Sequence, residues 1–210
     1  MPGKDADAPC TAIFCPIHLW KSRNRWQGIE ICGRDAYCRP MVSIRAYNPD
    51  SDGDLNAITA IYGHHVSFGR ASFETEPPSL HDMRSRLAAL AAEGYPALVA
   101  ELDGEIAGYA YAGRHKAREA YRLTVEDSIY VHHDKARRGV GRALLAALIA
   151  ECRAAGFRQM MAVIGDSENT GSIELHRALG FRHIGTACGI GFKFGVFLDV
   201  VYMQLALSET

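Results

Sequence analysis

No apolar run in this chain of 210 residues approaches the ~20 that a membrane-spanning helix needs, so no transmembrane segment is expected. The start lacks the basic-then-apolar layout of an export signal, and the cytoplasm is the expected location. Neither sign of charge is in excess: 23 Lys and Arg against 24 Asp and Glu leave a net charge of −1. Composition therefore gives no reason to expect nucleic acid or a membrane surface as partner, and any anion site must be local. Closely spaced cysteine pairs are missing as well. Cys10, Cys15, Cys32 and Cys38 follow C-x4-C and C-x5-C spacings, looser than zinc knuckles even with His18 nearby, while Cys152 and Cys188 stand apart. Neither a disulfide framework nor a metal site is expected. Repeats and low-complexity runs are absent. Residues 1–40 hold both tryptophans and show no sustained helical or alternating pattern. That lead reads as an appendage outside the native fold, ahead of a domain spanning 41–210 with Met41 as its natural start.

What the chain does have is centred on Val125 to Gly156, VEDSIYVHHDKARRGVGRALLAALIAECRAAG. β-Branched and aromatic residues from Val125 to Val131 predict a strand. Val140, Leu144, Leu145, Leu148, Ile149 and Cys152 fall on one stripe of a helix that starts near Gly139 and stops at Gly156. Between them lies Arg137-Arg138-Gly139-Val140-Gly141-Arg142. Glycines admit close approach of a ligand to the backbone, first-turn N–H groups lack intrahelical partners, and three arginines surround them, so the turn is built for an anion, one carrying phosphates. It is not a Walker loop, since no Gly-Lys-Ser/Thr follows, and it lacks the GxGxxG spacing of dinucleotide folds.

The rest of the chain supports this unit. MVSIRAY from Met41 predicts a first strand; Asp54 to Phe68 a helix, with Asp52 or Asp54 available as cap; and Ser79 to Glu93 a second helix capped by Ser79. His64 and His65 are neighbours on a helix and point apart, so they are not expected to share a metal. Pro96 to Leu102 and Glu105 to Ala112 flank Asp103-Gly104, which suits a type I′ hairpin. Gln159 to Ile164, Phe181 to Ala187 and Phe197 to Leu207 predict strands, and Thr170 to Leu179 a helix. This order makes a mixed α/β sheet.

RRGVGRALL resembles the pyrophosphate-binding signature of the GCN5-related N-acetyltransferases, Gln/Arg-x-x-Gly-x-Gly/Ala, with Ala136 standing at the usual Gln/Arg place. The segments SFETEPPS, YPALVAELDGEIAGYAYAGRHKAREAY, TVEDSIYV, AVIGDSENTGSIELHRALGF and GFKFGVFLDVVYMQL are similar to the phosphinothricin and methionine sulfone/sulfoximine N-acetyltransferases within that superfamily, over Met41 to Leu207. The resemblance implies a mostly antiparallel sheet whose central parallel strands splay apart, acetyl-CoA as co-substrate, no metal, a small amino-acid acceptor, and a homodimer. Tyr130, Val131, Arg137, Arg138, Gly139, Val140, Gly141, Arg142, Asn169 and Ser172 would bind the cofactor, with the Val131 N–H facing the thioester oxygen.

Transfer of an acetyl group to an amine needs a base for the ammonium, stabilisation of an oxyanion and a proton for the leaving thiolate. Glu126, in the strand beside the thioester, is the expected base. Asn169, Ser172 and His176 fall at i, i+3 and i+7, one polar stripe on an otherwise apolar helix. The resemblance carries the second catalytic role to His176. Phe73, Tyr109, Tyr111, Lys116, Arg118 and Tyr121 supply cations for a carboxylate or phosphinate and aromatics for a methyl group, and are the expected acceptor contacts. Val196 and Leu198 replace polar residues of some relatives, which bears on substrate choice. The alternatives are another amine, namely a different amino acid, a polyamine or a peptide N-terminus, or a CoA-sensing module without turnover.

Overall fold

The computed structural model describes residues 42–208 and, before them, only the backbone of Trp20–Ser22 (β1) and Arg25–Gln27 (β2). Cys10, Cys15, His18, Cys32 and Cys38, together with most of the expected appendage, lie outside the described residues. After β2 come β3 (Ser43–Ala46), α1 (Asp52–Phe68), α2 (Leu80–Ala92), β4 (Ala97–Leu102), β5 (Glu105–Arg114), β6 (Thr124–Val131), α3 (Val140–Ala154), β7 (Gln159–Gly165), α4 (Thr170–Ala178), β8 (Arg182–Lys193) and β9 (Val196–Ala206).

Local chemistry accounts for the boundaries. Ser79 accepts from the Asp82 amide while the Asp82 carboxylate accepts from the Ser79 amide, a reciprocal cap that starts α2 after Pro77-Pro78. α1 is capped by Ser51 rather than by the expected Asp52 or Asp54. Asp54 is instead buried in a two-pronged pair with Arg45 of β3, at 2.6 and 2.8 Å, which fastens the helix start to the sheet. Asp103 and Gly104 both take positive φ, as the predicted I′ hairpin between β4 and β5 requires.

The strands form one sheet in the order β1-β2-β3-β4-β5-β6-β7-β9-β8. Its neighbours are antiparallel except β6 and β7, which the crossover through α3 makes parallel. This is the expected mixed α/β sheet, extended by two short strands at one edge that no sequence pattern announced. α1 and α2 cover one face with Leu55, Ile58, Ile61, Val66, Met83 and Leu87. α3 covers the other, and all six residues of its predicted stripe are buried, each contributing on the order of 1.5–3 kcal/mol. Gly108 lets α3 come this close: a Cβ there would lie 2.8 Å from the Tyr130 carbonyl oxygen and 3.1 Å from both Val140 Cγ1 and Leu144 Cδ1. No helix among the described residues is long and apolar enough to cross a membrane.

Candidate active site

β6 and β7 run together for four residue pairs, from Thr124 opposite Gln159 to Asp127 opposite Ala162, and then part. Past the fork β6 stays on β5 as far as Val131, and β7 stays on β9 as far as Gly165. Each strand is held on its outer side, so the divergence is built in by pairing. The His132 N–H donates to Ala107 O at 2.8 Å, and the alternation of strand hydrogen bonds then turns the amide and carbonyl of Val131 away from β5. That carbonyl accepts from His65 Nε2 at 2.9 Å. Burial holds His65 below the usual imidazole range, which favours the neutral donor. The Val131 N–H faces the opening.

Beyond Val131 the chain turns into α3. Arg137 (φ 60) and Gly139 (φ 86) are left-handed, and the first-turn N–H groups at Val140, Gly141 and Arg142 have no partner within the helix. Arg138 is tied to Asp103 at 2.9 Å and Lys135 to Glu105 at 3.0 Å, so two cations brace the loop against the β4–β5 hairpin. Arg137 and Arg142 are exposed and form no ion pair with a described residue. Two uncommitted guanidinium groups at an open helix N-terminus are what a pyrophosphate requires; Ala136, just before them, is exposed. Gly141 allows α4 to pack beside it, since a Cβ there would sit 3.3 Å from Leu175 Cδ2. Asn169 caps α4, the helix that follows β7, by accepting from the Ser172 amide.

The two faces of β6 do different things. Glu126, Ser128 and Tyr130 stand opposite Gly113, Tyr111 and Tyr109 of β5 and point toward α1 and α2. Glu126 is half-buried, opposite a residue with no side chain, and its Oε2 lies 3.2 Å from His115 Nδ1. Burial raises the Glu126 pKa, and the hydrogen bond to His115 offsets part of that rise. His115, Lys116 and Tyr121 gather beside it: the His115 and Tyr121 rings are 5.9 Å apart, and Lys116 Nζ lies 5.3 Å from the Tyr121 ring centre. Arg118 is exposed at the start of the short turn Glu119–Tyr121. Tyr62 of α1 meets Tyr130 edge-on at 4.9 Å and donates to Glu74 Oε1 at 2.8 Å, and Glu74 is clamped by Arg86 at 2.6 and 3.1 Å. Tyr109 is buried beneath this group, 5.3 Å from Tyr130, whereas Tyr111 keeps partial exposure and Phe73 is exposed on the loop before α2.

Asp127, one residue on, points to the α3 and α4 face. There it meets His176 of α4, with Nε2 to Oδ2 at 3.0 Å, and both side chains are no more than 4% exposed. The other ring nitrogen, Nδ1, donates to Ser172 O at 2.7 Å. Burial alone would lower the His176 pKa; the hydrogen bond and charge of Asp127 outweigh it and hold the ring above the usual imidazole range. Asp127 Oδ1 is buried and has no hydrogen-bond partner among the described residues. The structure thus does not bring the expected pair together. Glu126 and His176 lie on opposite faces of β6, and both nitrogens of His176 are engaged by protein atoms. The residues adjoining them, His115 and Asp127, were missed from the sequence, although strand alternation carries the signal. His115 continues the parity of Tyr109, Tyr111 and Gly113, and Asp127 has the parity opposite to Glu126. Cys152 is buried with its thiol pushed up to about 12, whereas Cys188 is exposed.

Residues 58–181 match the model of the Acetyltransferase (GNAT) family. The chain is 52% identical over 157 residues to a phosphinothricin N-acetyltransferase of Alcaligenes faecalis, covering 75% of this chain and 80% of that one. It is 42% identical over 158 residues to an L-methionine sulfoximine/L-methionine sulfone acetyltransferase of Pseudomonas aeruginosa, covering 75% and 91%. Among solved structures, a GNAT superfamily phosphinothricin acetyltransferase from Sinorhizobium meliloti in complex with AcCoA superposes with a TM-score of 0.76 at 43% identity, covering 80% of this chain and 89% of that one.

Proposed function

The chain belongs to the GNAT acetyltransferase family and is an N-acetyltransferase with acetyl-CoA as co-substrate; from that premise we propose that it acetylates the α-amino group of a small amino acid such as phosphinothricin or methionine sulfone or sulfoximine, by direct transfer in a ternary complex. The acceptor class rests on the named relatives at 52% and 42% identity. The observation that carries the catalytic reading is Glu126: a half-buried carboxylate with a raised pKa, held by His115 at 3.2 Å, on the strand that presents the Val131 N–H at the fork.

Acetyl-CoA supplies the acetyl thioester. Glu126 takes a proton from the acceptor's ammonium, and a raised pKa brings it nearer the neutral range where a base works well. The nitrogen bonds to the acetyl carbon, the carbon–sulfur bond breaks, and the departing thiolate takes up the second proton, which the nitrogen sheds on becoming an amide. The Val131 N–H is the donor for the developing oxyanion. His115 holds the Glu126 carboxylate and is the route for its proton to solvent. Arg137, Arg142 and the first turn of α3 hold the phosphates, with Asn169 and Ser172 at the start of α4. Phe73, Tyr111, Lys116, Arg118 and Tyr121 are the acceptor contacts, and Tyr109 supports them from below. His176 is assigned the holding of α4 on β6 through Asp127, because it has no free ring nitrogen. Direct transfer is favoured over an acyl-cysteine since a thiol with a pKa of about 12, as at Cys152, stays protonated at neutral pH. A second copy of the chain would cover the outer hairpin, where Ile184, Ile190, Phe192, Phe194 and Phe197 are each more than half exposed. The location that goes with this reading is the cytoplasm.

Thiol release from acetyl-CoA, measured against phosphinothricin, methionine sulfone, methionine sulfoximine, methionine, glutamate and spermidine, tests the proposal. Turnover of the first three is expected, with kcat reduced on the order of 10²–10⁴-fold in Glu126→Gln. Preference for spermidine would overturn the acceptor class, and an active Glu126→Gln would overturn the base.

A further inference from the structure

Lys193, the last residue of β8, is 3% exposed, and its Nζ donates to two backbone carbonyls, Gly69 O at 2.9 Å and Ser72 O at 2.6 Å. Lysine is seldom buried this far without partners, and here the partners are peptide oxygens of a segment about 120 residues away in sequence. That segment, 69–74, is the first part of the link from α1 to α2 and carries Phe73 and Glu74. It crosses the sheet at the end of β7, where a Cβ on Gly165 would lie 2.9 Å from Ala71 O. Its helix side is fixed by Tyr62, whose hydroxyl lies 3.2 Å from Ser72 Oγ and 2.8 Å from Glu74 Oε1, and by Arg86 on Glu74. Its other side rests on β8. Phe73 occupies the space over Gly191, where a Cβ would come within 2.2 Å of Phe73 Cε1. Burial lowers the Lys193 pKa, as expected for an ammonium held away from water.

We propose that Lys193 is a positioning residue for the amino-acid acceptor: by fastening strap 69–74 to the β8–β9 hairpin it keeps Phe73 and Glu74 in place as one wall of the acceptor site. The inference rests on the reading of this face, with Glu126 and Tyr111, as the place where the acceptor sits. Lys193 touches no substrate. Its effect passes through two carbonyls, so it belongs to acceptor binding and not to the acetyl-CoA side, which is built by the turn before α3. Gly191 is the complementary part, the position on β8 that must lack a side chain for Phe73 to lie flat.

The test uses the full chain with Lys193→Met, Lys193→Arg and Gly191→Ala. Amide hydrogen exchange is read over 69–74 and α3, and steady-state kinetics are measured with methionine sulfone and acetyl-CoA. In Lys193→Met the strap is expected to exchange faster while α3 does not. The KM for methionine sulfone should rise about tenfold, or 1.4 kcal/mol, with the KM for acetyl-CoA unchanged and kcat within about twofold. Lys193→Arg should restore part of the acceptor KM. Gly191→Ala, which keeps the ammonium and displaces Phe73, should raise the same KM, and it carries the test if Lys193→Met folds poorly. Unchanged exchange over 69–74, an unchanged acceptor KM, or equal rises in both KM values would each overturn the inference while leaving the acetyltransferase reading intact. Wild type that turns over no amino acid would remove the acceptor reading and this inference with it.

Discussion

Replacing His176 by alanine takes from Asp127 the one hydrogen bond its carboxylate has among the described residues, because Oδ1 is already unpartnered. Both side chains are no more than 4% exposed, so water does not take over. Breaking a buried pair from one side costs about 3–5 kcal/mol. For a domain of this size each kcal/mol moves Tm by about 2–4 °C, so a loss on the order of 6–20 °C is expected. The pair also gives the loss a pH dependence. The folded pKa of His176 is raised above its ordinary value of 6.5, so its contribution to stability is whole below that value and is lost as pH rises through the higher folded pKa. The gap in Tm between wild type and His176→Ala should therefore be widest near pH 6 and narrow toward alkaline pH. Adding Asp127→Ala to His176→Ala should recover stability, since the stranded carboxylate goes with it. Thermal melts of wild type, His176→Ala, Asp127→Ala and the double variant at three pH values make the measurement. A His176→Ala protein that melts within about 2 °C of wild type yet loses more than 100-fold in kcat would refute the reasoning and make His176 a participant in the chemistry.

The remaining predictions concern the other face of β6 and the packing behind it. His115 holds the Glu126 pKa down against burial, so His115→Ala should move the acid limb of the kcat/KM profile to higher pH; an unmoved limb would mean that Glu126 is not the group being titrated. Gly108→Ala forces a methyl group against Tyr130 O, Leu144 and Val140, which should cost about 1–3 kcal/mol in urea unfolding. A variant as stable as wild type would show that α3 can back away from β5.

Much of the fold was legible because its elements bury one face each. The stripe on α3, the Ser79 cap and the Asp103-Gly104 hairpin are local signals that tertiary contacts reinforce, and the phosphate turn is readable for the same reason. β8 was placed at Phe181 to Ala187 but runs to Lys193: it is exposed along most of its length, so no alternation marks its end. The cap of α1 was misread because Asp54 is spent on Arg45, a contact from another strand. The site was less legible than the fold. Glu126 and His176 are named by motif, and motifs do not say which face of a strand a residue occupies. The partners His115, Asp127 and Lys193 depend on pairings across 11, 49 and more than 120 residues, which no local pattern contains.

The four-pair seam between β6 and β7 also sets an order of assembly during synthesis. The strands from β3 to β6 can complete their antiparallel pairings, and α3 can close over them, before β7 has left the ribosome. β7 must then wait, because its antiparallel neighbour β9 begins at Val196, some thirty residues after β7 ends at Gly165. The first part of the chain is therefore expected to become protected while still tethered, and the β7–β9 part to dock onto it late and as a unit. Closure of the seam and formation of the fork are then the same event, so the cleft for the thioester comes into being only when the last strand has been made.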